Sequence, residues 1–180
     1  PALRTMTNLK RLYLGENNIG DEGLRTIAPA LRTMPNLKKL NLYGNNIGDE
    51  GCRTIAPALR TMPNLKALGL YCNNIGDEGF RTIAPALRTM PNLKELYLSH
   101  NNIGDDSIAV LCSRVLPEVS LECLYLDDNK IGNVGCQSLL ELVNNGSLPS
   151  LAFLWLHNNP NISSELIEVF KRDWKAKGKY

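Results

Sequence analysis

The segment LKKLNLYGNNIGDEGCRTIAPALRTMPN, residues 37–64, decides how this chain folds, because nearly the same sequence precedes and follows it. Residues 9–36 read LKRLYLGENNIGDEGLRTIAPALRTMPN, and residues 65–92 read LKALGLYCNNIGDEGFRTIAPALRTMPN. Copies at a fixed spacing of 28 residues predict a tandem repeat array. In such an array each unit buries its apolar face against its neighbours, so no single central core is needed.

The repeat continues to the end of the chain with more variation. Each unit opens with the pattern L-x-x-L-x-L-x-x-N-x-I, and the last unit carries one extra residue before Ile162. Repeats are predicted to start at Leu9, Leu37, Leu65, Leu93, Leu121 and Leu151. Residues 1–8 match the end of a unit, which we interpret as a truncated preceding repeat of a longer array, and residues 163–180 predict a C-terminal capping helix and tail. Residues 1–180 are therefore predicted to form a single repeat domain.

Each part of the unit predicts a local structure. The alternation at Leu40 and Leu42 predicts a short strand with the leucines facing inward. Asn45 follows, and its amide can pair with backbone groups of a tight turn as both donor and acceptor. The next stretch, IGDEG, predicts a helix with Asp49 as its N-cap. Pro57 falls inside that helix, and we expect it to kink the helix or end it early.

The unit LxxLxLxxNxIGxxGxxxIxxxL resembles the leucine-rich repeat of the ribonuclease-inhibitor-like subfamily over essentially the whole chain. This resemblance implies an α/β fold, a right-handed β/α solenoid in which a parallel sheet lines the concave face of a horseshoe arc and helices line the convex face. Element sizes agree with it. Strands stack about 4.8 Å apart whereas helices need about 10 Å, so the array must bend towards its strands.

Composition narrows the classes of partner. The net charge of +2 gives no strong field for nucleic acid, and no apolar run approaches the length of a membrane span. Neither nucleic acid nor a membrane is predicted as a partner, and no cofactor is predicted. The five cysteines form no closely paired motif, which favours reduced thiols in a cytoplasmic protein.

The outward strand positions differ between the first three units, whereas the segment RTIAPALRTMPN does not change. Aromatic side chains gather at these outward positions, and Tyr and Trp are frequent anchors of protein interfaces. We therefore predict a protein partner on the concave face, contacted by Tyr13, Lys39, Tyr43, Tyr71, Glu95, Tyr97, His100, Tyr125, Asp127, Trp155 and His157. An alternative role for each tyrosine is stacking on its neighbours across the strands. Basic residues in the first units and acidic residues in the later units would orient the partner.

Three alternatives to a protein-binding role follow from the sequence: an enzyme, a metal site and an engineered scaffold. Cys72, His100 and Asp128 should lie side by side, as the nucleophile, base and orienting group of a hydrolase do, but no oxyanion hole is evident and no enzyme is predicted. His100, Asp127, Asp128 and His157 are the candidate metal ligands, but they form no tight ligand motif and no metal is predicted. Near-identical copies also arise by consensus engineering, as in a scaffold with no native partner. Finally, an open N-terminal edge predicts weak self-association.

Overall fold

The computed structural model describes residues 2–179, in which six strands and six helices alternate after a short 3₁₀ helix at Ala2–Thr5. The strands are β1 Arg11–Tyr13, β2 Lys39–Asn41, β3 Ala67–Gly69, β4 Glu95–Tyr97, β5 Cys123–Tyr125 and β6 Phe153–Trp155. The helices are α1 Gly20–Leu31, α2 Asp49–Leu59, α3 Asp77–Leu87, α4 Asp105–Val110, α5 Asn133–Asn144 and α6 Ser164–Ala176. A π-helix at Leu111–Val115 extends α4.

The strands form one open parallel sheet in chain order, which confirms the predicted β/α solenoid. Equivalent residues of successive units pair, as Leu12 does with Leu40 and Leu40 with Leu68. The fifth unit is two residues longer, yet Leu124 still pairs with Leu154 because one extra residue lengthens α5 and the other lies in the loop after it. Within residues 2–179, no helix is both long and apolar enough to span a lipid bilayer.

The core is a continuous layer between the sheet and the helices. Leu40 and Leu42 are buried as predicted, and Ile55 and Leu59 of α2 face them from the helix side. Cys52 is also fully buried at a helix position that the sequence analysis did not assign to the core. Burying each such side chain contributes roughly 1.5–3 kcal/mol, and the layer grows with every repeat added.

The proline prediction is wrong about where the helix ends. The helices α1, α2 and α3 each continue for two residues beyond Pro29, Pro57 or Pro85. Each proline lies in the last turn, and Pro29 and Pro85 are exposed. A carbonyl that loses its amide partner there can bond to water, so the cost of the missing donor is small.

The predicted N-cap role of the aspartates is also wrong. The cap residue of α2 is Gly48, and Asp49 is the first residue inside the helix. Asp49 Oδ1 instead accepts a hydrogen bond of 2.7 Å from the backbone amide of Gly76, which precedes the next helix. Asp21 contacts Gly48 in the same way, also at 2.7 Å. Each aspartate therefore ties its own helix to the N-terminus of the following one, where a negative charge is favourable.

Buried asparagines tie the strand ends together as the sequence predicted. Asn73 makes five hydrogen bonds of 3.0–3.1 Å, and two of its partners belong to its own unit and three to the preceding one. Its amide nitrogen donates to the carbonyls of Leu42, Leu70 and Tyr71, and its Oδ1 accepts from the backbone amides of Asn45 and Ile47. We call the equivalent residues Asn45, Asn73, Asn101, Asn129 and Asn159 the asparagine ladder.

We predict that Asn73→Ala lowers the free energy of unfolding by about 3 kcal/mol or more. The substitution leaves several buried backbone groups without a partner, and each such group costs about 1–3 kcal/mol. Asn74→Ala is the matched control, because Asn74 is the adjacent asparagine and is exposed. Urea denaturation followed by circular dichroism measures both variants. Equal loss of stability in the two would contradict the structural role of Asn73.

Candidate functional site

Five aromatic rings form a continuous line across the concave face of the sheet. Consecutive ring centroids lie 4.7, 6.2, 4.8 and 6.1 Å apart, which are contact distances for aromatic pairs. We call this line the aromatic ladder: Tyr43, Tyr71, Tyr97, Tyr125 and Trp155. His157 extends it edge-on, 5.3 Å from Trp155. The structure thus shows the cross-strand stacking that the sequence left as an alternative for each tyrosine.

The ladder shifts once along the strand direction, between Tyr71 and Tyr97, because its rings come from two different positions of the repeat. Tyr43 and Tyr71 follow their strands by two residues, whereas Tyr97, Tyr125 and Trp155 are the last strand residues. Gly15 leaves room for the Tyr43 ring, since a Cβ at residue 15 would lie only 2.0 Å from that ring. The ring of Tyr43 is therefore held between Gly15 and Tyr71. Tyr13 lies outside the ladder and is 61% exposed.

A groove of about 310 Å³ opens beside the ladder over β3. Both outward residues of β3, Ala67 and Gly69, have side chains too short to fill the space between the neighbouring strands. The walls are larger side chains: Tyr13, Lys39, Asn41, Tyr71, Glu95 and Tyr97. Ala67 and Gly69 are not among the predicted contact residues, because that prediction rested on large and charged side chains at the outward positions. The detectable signal was two small residues on one strand between bulky neighbours.

Lys39 and Glu95 meet across the groove, above Ala67. Lys39 Nζ lies 3.7 Å from Glu95 Oε2, and the hydroxyl of Tyr97 donates to the same oxygen at 3.0 Å. Burial, and then this hydrogen bond, raise the pKa of Tyr97 above its ordinary value. The side chains of Lys39 and Glu95 are 40% and 32% exposed, and an ion pair at such a position adds little stability. Both charges are therefore available to a partner.

The predicted separation of charge, with basic residues in the first units and acidic residues in the later ones, is incomplete on this face. Lys94 adds a basic residue to the acidic half of the face, where its Nζ lies 3.3 Å from Glu122 Oε1. The remaining acidic residues gather after β5, where Asp127 and Asp128 meet two histidines. His100 Nε2 lies 3.4 Å from Asp128 Oδ2, and His157 Nε2 lies 3.8 Å from Asp127 Oδ2.

Cys72, His100 and Asp128 occupy the same position in successive units, and we call this line of equivalent residues across the sheet a row. The residues of this row share one backbone conformation. These residues have φ values of 54°, 52° and 52°, in the left-handed region that costs a non-glycine residue about 1–2 kcal/mol. Gly44 and Asn158 occupy the same row at 61° and 53°. The turn after each strand imposes this geometry, so the row is held in register across the face.

The geometry does not activate Cys72 as a nucleophile. Burial raises the pKa of its thiol, and the carboxylates of Asp127, Asp128 and Glu16 raise it further. Activated thiols instead have a lowered pKa next to a positive charge or helix N-terminus. The separation of 3.4 Å between His100 and Asp128 also exceeds a normal hydrogen bond. All five cysteines are free, and burial is the largest cause of a raised pKa at each of them.

Comparison with protein-family models gives two matches. The model described as "Leucine Rich repeats (2 copies)" matches residues 7–51, and the model described as "Leucine Rich repeat" matches residues 61–84, 89–112 and 119–140. These matches agree with the leucine-rich repeat resemblance but do not resolve the subfamily. A comparison with curated proteins found no match.

Three solved structures illustrate the likeness of fold. Actin-binding site 2 of leiomodin-1 has 15% identity and a TM-score of 0.56 over 98% of this chain and 84% of its own. The C-terminal domain of tropomodulin from Caenorhabditis elegans has 15% identity and a TM-score of 0.56 over 98% of this chain and 89% of its own. Internalin C2 from Listeria monocytogenes has 27% identity and a TM-score of 0.61 over 90% of this chain and 57% of its own.

We predict that Cys72 reacts with neutral iodoacetamide more slowly than glutathione does at pH 8, because its raised pKa lowers the thiolate fraction. The measurement uses a Cys112→Ser/Cys123→Ser variant, in which Cys72 is the one remaining exposed thiol among residues 2–179. Adding Asp127→Asn and Asp128→Asn should speed the reaction by removing two negative charges. Alkylation of Cys72 faster than that of glutathione would contradict this account and favour the hydrolase alternative.

Proposed function

Since the chain belongs to the leucine-rich repeat family, we propose that it is a non-enzymatic interaction module that binds a protein partner on its concave face. Leucine-rich repeat domains are generally modules of this kind. The observation that carries the proposal is the aromatic ladder next to an open groove. Together they offer a partner a large aromatic surface and a recess that accepts an inserted side chain.

The stacking of the ladder favours binding because it orders the rings in advance. A tyrosine held between neighbours has already lost its rotamer freedom, so contact with a partner costs little additional entropy. Tyr43, Tyr71, Tyr97 and Tyr125 are half-buried, whereas Trp155 and Phe153 are each 45% exposed at the end of the sheet. The rings thus keep accessible edges although their faces are stacked.

The convex face offers less to a partner. Its charged residues pair with one another, within a helix as Arg25 does with Glu22 and between units as Arg25 does with Glu50. Exposed pairs of this kind contribute little to the free energy of folding, and the first three units repeat the same pair within the helix, so the surface offers little variation between units. This contrast supports a concave-face site.

The groove indicates which chemical groups a partner would present. One of the similar structures is described as an actin-binding site, but a fold shared at 15% identity does not transfer its partner. We propose a partner that inserts an apolar or aromatic side chain over Gly69 and presents polar groups to Lys39 and Glu95.

The cytoplasm is the proposed location, because the five cysteines form no closely paired motif.

We predict that Tyr97→Ala combined with Trp155→Ala weakens partner binding by about 2 kcal/mol or more, which is roughly 30-fold in Kd. The partner is first captured with the wild-type chain, identified by mass spectrometry and purified for calorimetry. Arg53→Ala combined with Arg81→Ala is the convex-face control and should leave Kd unchanged. The opposite pattern, with loss of binding only in the arginine variant, would place the interface on the convex face.

A second variant tests the groove separately. Tyrosine already occupies the position of Gly69 in β1, β4 and β5, so Gly69→Tyr introduces a residue that the fold accommodates there. The added Cβ would lie 2.9 Å from Asn41 Oδ1, so the Asn41 side chain must shift away from the Tyr43 amide, which donates to that oxygen at 3.0 Å. We expect thermal stability to be retained and the partner's Kd to rise at least 10-fold because the recess is filled. Unchanged affinity would show that the partner contacts the ladder without entering the groove.

A further inference from the structure

Residues from the loops after β4 and β5 converge at the acidic end of the concave face. The imidazole of His100 and the carboxylates of Asp127 and Asp128 each offer one ligand atom, and these atoms all lie within 4.8 Å of one another. We propose that these three residues bind a divalent transition-metal ion of the zinc type. The repeat itself creates the site, because it places residues 28 positions apart on adjacent strands.

The distance between His100 and Asp128 is compatible with a shared metal ion. With metal–ligand bonds of about 2.0 Å, neighbouring ligands of a tetrahedral zinc ion lie about 3.3 Å apart. His100 Nε2 and Asp128 Oδ2 are separated by 3.4 Å, which is close to that value and too long for a normal hydrogen bond. The two side chains therefore face each other with the spacing of ligands to a common ion.

The carboxylate of Asp127 is oriented by a neighbour. Ser99 Oγ donates a hydrogen bond of 2.6 Å to Asp127 Oδ1, so Oδ2, which lies 3.8 Å from His157 Nε2, is the oxygen that can act as a ligand. The Asp127 side chain is only 14% exposed, so its position is well defined. Hydrogen bonds of this kind hold the ligands of metal sites in place, and their loss typically costs 10–100-fold in metal affinity.

The backbone holds the loops together without a metal. The amide of His100 donates to the carbonyl of Asp127 at 3.0 Å, and the amide of Asp128 donates to the carbonyl of His157 at 3.1 Å. His100 and Asp128 also share the left-handed conformation that the turn imposes. Little backbone entropy is then lost when an ion binds, which favours affinity.

The donor set selects the class of metal. One imidazole and two carboxylates suit zinc and related transition metals, whereas magnesium and calcium prefer an all-oxygen set. Three protein ligands leave a fourth position for water or for another group. His157 approaches from the next loop, with its Nε2 3.8 Å from Asp127 Oδ2, but it does not belong to the three-residue cluster. Its contribution should therefore be the smaller one.

Calorimetric titration of the reduced, tag-free chain with ZnCl₂ tests the proposal. We expect saturable binding of one ion, weakened more than about 100-fold by His100→Asn or Asp128→Asn and about 10–100-fold by Ser99→Ala. Asparagine is chosen because Asn158 already adopts the same left-handed conformation, with φ of 53°. Circular dichroism checks that each variant is folded.

Two controls identify the ligands. Cys72→Ser should leave Zn²⁺ affinity unchanged, and His157→Asn should weaken it less than His100→Asn does. The spectrum of the Co²⁺ complex should show the visible bands of a tetrahedral ion without a thiolate charge-transfer band. The proposal is overturned by absence of saturable binding at millimolar Zn²⁺, by full affinity in His100→Asn, or by a thiolate band that disappears in Cys72→Ser.

Discussion

The buried asparagine ladder is the constraint on which the rest of the structure depends. Each amide bonds to carbonyls of its own turn and to amides of the turn before it, so two units are joined by one side chain. Among residues 2–179, no buried side-chain nitrogen or oxygen lacks a hydrogen-bond partner. A one-residue slip would leave all these groups unpaired at once. The ladder therefore fixes which residues become neighbours across the sheet.

On the helix side, hydrogen bonds from glycine amides to aspartates join successive units. Asp21, Asp49, Asp77 and Asp105 each accept a hydrogen bond from the glycine amide that precedes the next helix. The two sets of bonds lie at opposite ends of the loop between strand and helix, so they set the position of each new unit in two places. The wider spacing of helices than of strands then bends the array, and the concave face becomes the side on which strand residues face one another.

Periodicity explains why so much of the fold could be predicted from the sequence. Once the repeat is known, the burial of Leu40 and the pairing role of Asn45 follow from alternation and from the chemistry of an amide. The role of Asp49 did not follow, because its partner is 27 residues away and a cap was sought within the same helix. The groove was not predicted for a related reason. It depends on the absence of large side chains at Ala67 and Gly69, and its volume is bounded by side chains from β1, β2, β3 and β4.

Recognition and stability are separable at most positions of this fold, but less so along the aromatic ladder. The leucines and asparagines contact the units before and after them, so a change in one unit disturbs its neighbours. Outward strand residues contact mainly other outward residues, as Lys39 does Glu95 across β3 and Tyr71 does Tyr97, and they can vary without disturbing the core. In the aromatic ladder, however, each ring rests on the next, and Tyr43 also needs the empty space above Gly15. Substituting one ring therefore changes the support of its neighbours, so the ladder is a connected surface.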